Sequence, residues 1–164
     1  MLDLDGIFEA YVDDLYRYLL SLSNNHHTAE DLVQEAFYRA YLQLLEDNIS
    51  NIKPWLFKVA YHAFIDFTKK HNRLIITNEV HNRIIVKTTE IDLIEKEGFA
   101  ALMNDIHSLK ETEMHVLVLC DLHQLSLKDA AEILQLNLNT LKSHLSRGRK
   151  KVVERVKERR MQDG

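Results

Sequence analysis

Apolar residues recur every three or four positions through most of the chain, the spacing that lines up one face of an α-helix. Phe8, Val12, Leu15, Leu19 and Leu22 form a first stripe, closed by the turn-forming run Ser23-Asn24-Asn25. Thr28, with Asp31 behind it, resembles a helix start, and Leu32, Val33, Ala36, Phe37, Ala40, Tyr41 and Leu44 trace a second stripe. These two helices are expected to pack antiparallel. Polar residues from Glu46 to Lys53 interrupt the pattern. Pro54 then suits the first position of a third helix, where its missing N–H is not needed. That helix presents Trp55, Leu56, Val59, Ala60, Ala63, Phe64 and Phe67 on one side and turns Lys58, Lys69 and Lys70 away.

The periodicity fades from Leu74 to Thr89, so Ile75-Ile76-Thr77 and Arg83-Ile84-Ile85-Val86-Lys87 read as linker. Helical spacing returns with Ile91, Ile94, Phe99, Leu102, Met103 and Ile106, weakened by Gly98. Ser108 and Glu111 have the spacing of a capping box ahead of Met114, Leu117, Val118 and Leu119. Ser126 and Asp129 repeat that start before Leu127, Ala130, Ala131, Ile133 and Leu134. A break at Gln135-Leu136-Asn137-Leu138, an N-cap at Asn139 and a final helix carrying Leu141, Leu145 and Val152 complete a helix-turn-helix pattern. The expected fold is all-α: two small helical domains, residues 1–73 and 105–164, joined by a linker over 74–104. Four glycines and one proline in 164 residues agree with this, since they leave little material for turns or strand bulges.

Charge changes the picture only when it is placed along the chain. The net value of -4 argues against a nucleic-acid partner, but its distribution argues for one. Residues 1–47 hold ten acids against Arg17 and Arg39; residues 142–160 hold nine bases against Glu154 and Glu158; residues 53–73 hold five bases against Asp66. Because salt screens charge over roughly 8 Å, a polyanion responds to the local basic block and little to the distant acidic one. Dense basic runs of this kind are an electrostatic footprint of nucleic-acid contact. Cys120 is the single cysteine, so no intrachain disulfide is available, and its apolar neighbours predict a small buried hydrophobe. No apolar run is long enough to cross a bilayer, and acids rather than bases fill the first twenty residues, so a soluble, cytoplasmic protein is expected.

The run from Leu125 to Lys151 carries the sharpest chemistry. Small Ala130 and Ala131 let a second helix cross closely, and Leu136 plugs the angle between the two. The last helix then offers Thr140, Lys142, Ser143, Ser146 and Arg147 on faces not consumed by Leu141 and Leu145. A helix of this type enters a major groove with its first turns nearest the base edges, and an arginine such as Arg147 grips a guanine through two hydrogen bonds.

These residues carry a family resemblance. Ser126 to Lys151 is similar to the second half of region 4 of the sigma-70 family of bacterial transcription factors, and Ser108 to Leu119 resembles the preceding half. Ala29-Glu30-Asp31-Leu32-Val33-Gln34-Glu35-Ala36-Phe37 resembles region 2.2. Trp55-Leu56-Phe57-Lys58-Val59-Ala60-Tyr61-His62, with Asp66 and Lys69, resembles regions 2.3 and 2.4. With only these two regions and a short linker, the resemblance is to the extracytoplasmic-function group.

The resemblance implies a non-catalytic subunit that confers promoter specificity on RNA polymerase. It implies contacts from Asp31, Gln34, Glu35 and Tyr38 to the clamp helices of the polymerase largest subunit, and a contact with the polymerase flap. Thr140, Lys142, Ser143, His144, Ser146, Arg147, Arg149 and Lys150 would read the -35 duplex. Asn48, Ser50 and Asn51 of the polar loop would capture a flipped base of the melted -10 element, with Lys58, Tyr61, His62, Lys69, Lys70 and Arg73 tracking the single strand and Tyr61 or Phe57 available for stacking. His62 stands where the family usually has Asn, and an imidazole does not copy a carboxamide's paired donor and acceptor. His144 stands where the family favours arginine and Gly148 where alanine is common, a change expected to loosen the helix by about 1 kcal/mol. An anti-sigma factor that can hold the protein at the membrane is implied, along with a role in stress response, residence with polymerase at the nucleoid and no stable homo-oligomer.

Two other classes fit the residues less well. The nine histidines show no His-x-x-x-His with a partnering acid on one helix, and no glycine-rich phosphate loop is present. No catalytic, metal or cofactor site is therefore expected. An autonomous helix-turn-helix regulator would read two half-sites as a dimer and bind duplex DNA without polymerase. The basic, aromatic helix that follows a polar loop has no place in such a design.

Overall fold

The structure, a computed structural model, describes residues 3–74 and 90–163; the side chains of 73–74 and 90–97 lie outside that description, as does most of the segment read as linker. The described residues are helical, with no strand among them, and pack as two compact units: one from the helices before residue 75, the other from those after residue 89. In the first unit, α1 (Leu4–Ser23), α2 (His26–Glu46) and α3 (Ile52–Leu74) pack each against the other two. In the second, α4 (Glu90–His107), α5 (Glu111–Leu117), a π-helical turn (Val118–Leu122), α6 (Leu127–Leu134) and α7 (Leu138–Gln162) gather around α5 and α7. Residues 90–104, placed above in the linker, form most of α4, which packs on α5 and α7.

Local chemistry sets the helix ends, not always at the residues expected. α1 begins where Asp3 accepts a hydrogen bond from the Gly6 N–H at 2.8 Å, and Asn24 closes it in the left-handed conformation (φ 55°). The cap of α2 is Asn25 rather than Thr28; its side chain accepts from the Thr28 N–H, so the threonine stands already in the first turn. α3 begins at Ile52, which puts Pro54 third in the helix, still within the turn whose N–H groups lack intrahelical acceptors. Ser108 caps no helix start: its hydroxyl donates back to the Asp105 carbonyl at the end of α4. α5 opens at Lys110 instead, whose N–H donates to Glu113. Ser126 does cap α6, accepting from the Asp129 N–H at 3.0 Å. The cap of α7 is Asn137 rather than Asn139, accepting from the Thr140 N–H at 2.7 Å after Gln135 has turned the chain through φ 54°.

The cores follow the stripes with instructive slips. In the first unit Ile7, Leu15, Tyr18, Leu19 and Leu22 of α1 are buried with Leu32, Val33, Ala36, Phe37 and Ala40 of α2 and Leu56, Phe57, Ala60 and Ala63 of α3. Phe8, expected inside, is 45% exposed and covers Phe37 with ring centroids 4.9 Å apart. Phe57, read as free to stack on bases, is buried against Tyr18 at 4.8 Å. In the second unit Met114, Val116, Leu117, Val118 and Leu119 are enclosed by Ile133, Leu141 and Leu145, and Cys120 is only half-buried.

Candidate nucleic-acid and protein interfaces

The start of α7 is built to be read from outside. Asn137 fixes the first turn, and Leu141 and Leu145 are buried on one side of it. The opposite side leaves Lys142, Ser143, Ser146 and Arg147 exposed around a shallow depression. Thr140 and His144 are half-buried at its edge, with the Arg147 guanidinium 3.5 Å from the His144 Nδ1. Lys150 continues the exposed row one turn further on. Arg149 differs: its guanidinium is bound by the Asp121 carboxylate of the π turn through two hydrogen bonds, 2.9 and 2.6 Å.

Two more bases of the run are held the same way. Lys151 donates to both oxygens of Glu113, at 2.8 and 3.2 Å, and Arg159 pairs with Asp105 of α4 at 2.7 Å. Glu113 is buried, and its carboxyl is held below the ordinary range, chiefly by the hydrogen bond from Lys151. The nine bases of residues 142–160 are therefore not all free: three of them tie α7 down. Sequence reasoning missed Glu113, Asp121 and Asp105 as their partners, since pairs separated by 28 to 54 residues leave no local signature.

Gly148 also differs from expectation. It is buried, and a Cβ there would lie 3.0 Å from the Leu117 Cδ1 and 3.6 Å from the Glu113 Cβ. The residue that costs helix propensity is the one that lets α7 cross α5 closely.

In the first unit, Asn48, Ser50 and Asn51 are exposed in the turn between α2 and α3. Lys58, Tyr61 and His62 follow half-buried on α3, the last two with ring centroids 5.5 Å apart, and Lys69 and Lys70 are exposed near its end. The Arg73 side chain lies outside the described residues. On α2, Asp31, Gln34, Glu35 and Tyr38 share one exposed row. Glu35 is engaged there by Arg39 at 2.9 Å, which also reaches Asp66 of α3 at 2.9 Å. The same row runs on into Tyr41, Leu42 and Leu45, which are 44%, 46% and 66% exposed. Leu42 and Leu45 were not singled out in the sequence, although with Tyr38 they form a second apolar stripe at helical spacing. Among the described residues there is no cluster with the makings of a metal site, and no helix is long and apolar enough to cross a membrane.

Residues 7–74 match the family model described as Sigma-70 region 2, and residues 100–152 match that described as Sigma-70, region 4. The chain is 33% identical over 150 residues to the ECF RNA polymerase sigma factor SigM of Bacillus subtilis, covering 91% of this chain and 92% of that one. Among solved structures, the sigma factor RpoE of Bartonella quintana, determined with the anti-sigma factor NepR, superposes with a TM-score of 0.78 at 24% identity, covering 92% of this chain and 94% of that one. CnrH, determined with the cytosolic domain of CnrY, does so with a TM-score of 0.71 at 17% identity, covering 94% and 88%.

Proposed function

The chain belongs to the extracytoplasmic-function sigma factors of the sigma-70 family, and from that premise we propose how its two helical units divide the work of promoter recognition. Sigma factors bind core RNA polymerase and promoter DNA to initiate transcription; they regulate initiation and are not enzymes. In this chain the second unit holds the -35 duplex through α7. Lys142, Ser143, Ser146 and Arg147, with Thr140, His144 and Lys150 around them, meet the groove and its phosphates. The observation that carries this reading is the exposed, capped, basic first half of α7, whose opposite side is consumed by Leu141 and Leu145. A helix presented in that way matches the geometry of major-groove readers, in which the N-terminal residues contact base edges.

The first unit takes the melted -10 element. Extruding a base costs a few kcal/mol, which Asn48, Ser50 and Asn51 repay with hydrogen bonds while Tyr61 or His62 stacks and Lys58, Lys69, Lys70 and Arg73 follow the backbone. Phe57 takes no part, being buried. Asp31, Gln34, Glu35 and Tyr38 contact the polymerase clamp helices, and the continuous row of Tyr41, Leu42 and Leu45 extends that contact with apolar area. Each unit alone binds weakly; core polymerase, touching both the clamp and flap sides, sets the distance between them. The working domains in this reading are residues 1–73 and 105–164, the second extended by the rest of α4, which packs on α5 and α7, and the protein acts in the cytoplasm at the nucleoid. An anti-sigma factor covering the same surfaces is the further partner, supported by the Bartonella relative having been determined with one.

Arg147→Ala tests the reading. Transcription from the protein's own promoters falls, because a guanine-gripping arginine contributes roughly 1 to 3 kcal/mol of discrimination, while binding to core polymerase is unchanged. Loss of core binding in this variant would contradict the assignment.

A further inference from the structure

The π turn between α5 and α6 places an acid against α7 at a point where the basic run would otherwise be free. The wide turn is closed by the His123 N–H donating to the Val118 carbonyl at 3.1 Å, and the chain leaves it with the Leu125 N–H on the Leu119 carbonyl at 3.0 Å. Such turns are uncommon and mark places where a residue is displaced from the track of a continuous helix. This turn carries Asp121. Both of its oxygens are occupied by Arg149, Oδ2 by Nε at 2.9 Å and Oδ1 by Nη2 at 2.6 Å, a planar fork that fixes orientation as well as distance.

The apolar contact beneath this fork does not fix orientation. Gly148 meets Leu117 closely enough to set the separation of α5 and α7, while the roll of α7 is held by inward Leu141 and Leu145 and, further along, by the Lys151–Glu113 and Arg159–Asp105 pairs. The fork one residue after Gly148 adds a two-point, directional tie beside the exposed row of α7. At about 100° per residue, Arg147 and Lys150 lie more than a quarter-turn around the helix from Arg149. Holding Arg149 against the π turn therefore aims both of them outward.

We propose that Asp121 is a positioning residue for DNA reading: its fork with Arg149 trims the roll of α7 beside the exposed row, and Arg149 orients the helix instead of neutralising a phosphate. This rests on the reading of α7 as the DNA-contacting helix. A guanidinium already facing a carboxylate releases few counterions on binding DNA, so Arg149 makes little contribution to the salt dependence.

The test uses holoenzyme reconstituted from the full-length chain and core polymerase. Binding is titrated with salt on two duplexes, one carrying the protein's own -35 element and one with that element substituted. Asp121→Asn frees Arg149, steepens the salt slope by about one charge and reduces discrimination between the duplexes several-fold. Arg149→Gln leaves the slope unchanged and lowers discrimination by the same factor. Arg149→Lys, which keeps the charge but not the fork, does likewise, and the Asp121→Asn/Arg149→Gln pair loses no more than either change alone. The two side chains are 34% and 54% exposed, so these substitutions leave the core untouched. A flatter slope in Arg149→Gln with discrimination intact makes Arg149 a phosphate contact and overturns the proposal. Wild-type holoenzyme that does not distinguish the two duplexes overturns the reading role of α7, and the proposal with it.

Discussion

Replacing Lys151 with alanine removes the ammonium that is hydrogen-bonded to a buried carboxylate. Glu113 is 1% exposed, accepts the Lys110 N–H at 3.3 Å and binds the Lys151 ammonium at 2.8 and 3.2 Å. Stranding one member of a buried pair costs about 3–5 kcal/mol. Lys151 is 41% exposed, so water already weakens the attraction, and a loss of about 2 kcal/mol is the appropriate scale. For a unit of this size that lowers the melting temperature by roughly 8 to 16 °C. The two units provide an internal control, because Trp55, the only tryptophan, belongs to the first. Its fluorescence transition stays where it is while the far-ultraviolet circular dichroism transition of the second unit moves down.

The pH dependence of this change has a definite sign. In the native protein Lys151 holds the Glu113 carboxyl below its usual value of 4.5, so the stability gained is present above that value and is lost as pH falls through the folded one. Without Lys151 the largest pull on the carboxyl is gone, and burial is opposed only by the Lys110 N–H and the Lys110 charge. The variant is then weakest near neutrality and recovers ground against wild type as Glu113 protonates. The stability difference narrows between pH 7 and pH 3.5. A difference that stayed constant over that range, or fell below about 0.5 kcal/mol at pH 7, would refute the role given to this pair.

Other consequences can be checked separately. His115 is buried and its pKa falls from 6.5 to about 4, first through burial and then through His107, with the exposed Glu111 carboxylate 3.9 Å from its ring. The unfolded chain therefore binds the extra proton between those values, and the second unit loses about 3 kcal/mol as pH drops from 6.5 to 4; His115→Asn should flatten that slope in equilibrium denaturation. Gly148→Ala gains about 1 kcal/mol of helix propensity but drives a Cβ to 3.0 Å from Leu117, which is itself buried, so the melting temperature falls despite the propensity gain. A rise would show that Leu117 yields easily. Asn137→Ala costs about 1 kcal/mol in chemical denaturation, whereas Asn139→Ala, one residue inside α7, costs little; the reverse order would restore Asn139 as the cap.

Much of the molecule was legible in one dimension because helical packing is periodic. The stripes of α1, α2 and α3, the turn at Asn24, the Ser126 cap and the α6–α7 pair all follow from spacings of three or four residues. The exposed row of Lys142, Ser143, Ser146 and Arg147 was equally visible, being what remains once Leu141 and Leu145 turn inward. Caps were displaced where two candidates stood close together, as with Asn25 and Thr28 or Asn137 and Asn139, since only backbone geometry decides which side chain reaches an N–H. Phe8 came out more exposed and Phe57 more buried than expected, because an apolar stripe has edges and the neighbouring helices determine which edge is covered.

Charge was the property least recoverable from order along the chain. Nine bases between residues 142 and 160 promise a uniformly basic helix, yet folding brings Asp105, Glu113 and Asp121 to three of them. Coulomb energy depends on distance in space, and these acids lie 28 to 54 residues away in the chain. Gly148 teaches the same lesson for packing: alone it weakens a helix, and only against Leu117 does its missing side chain become the condition for close approach.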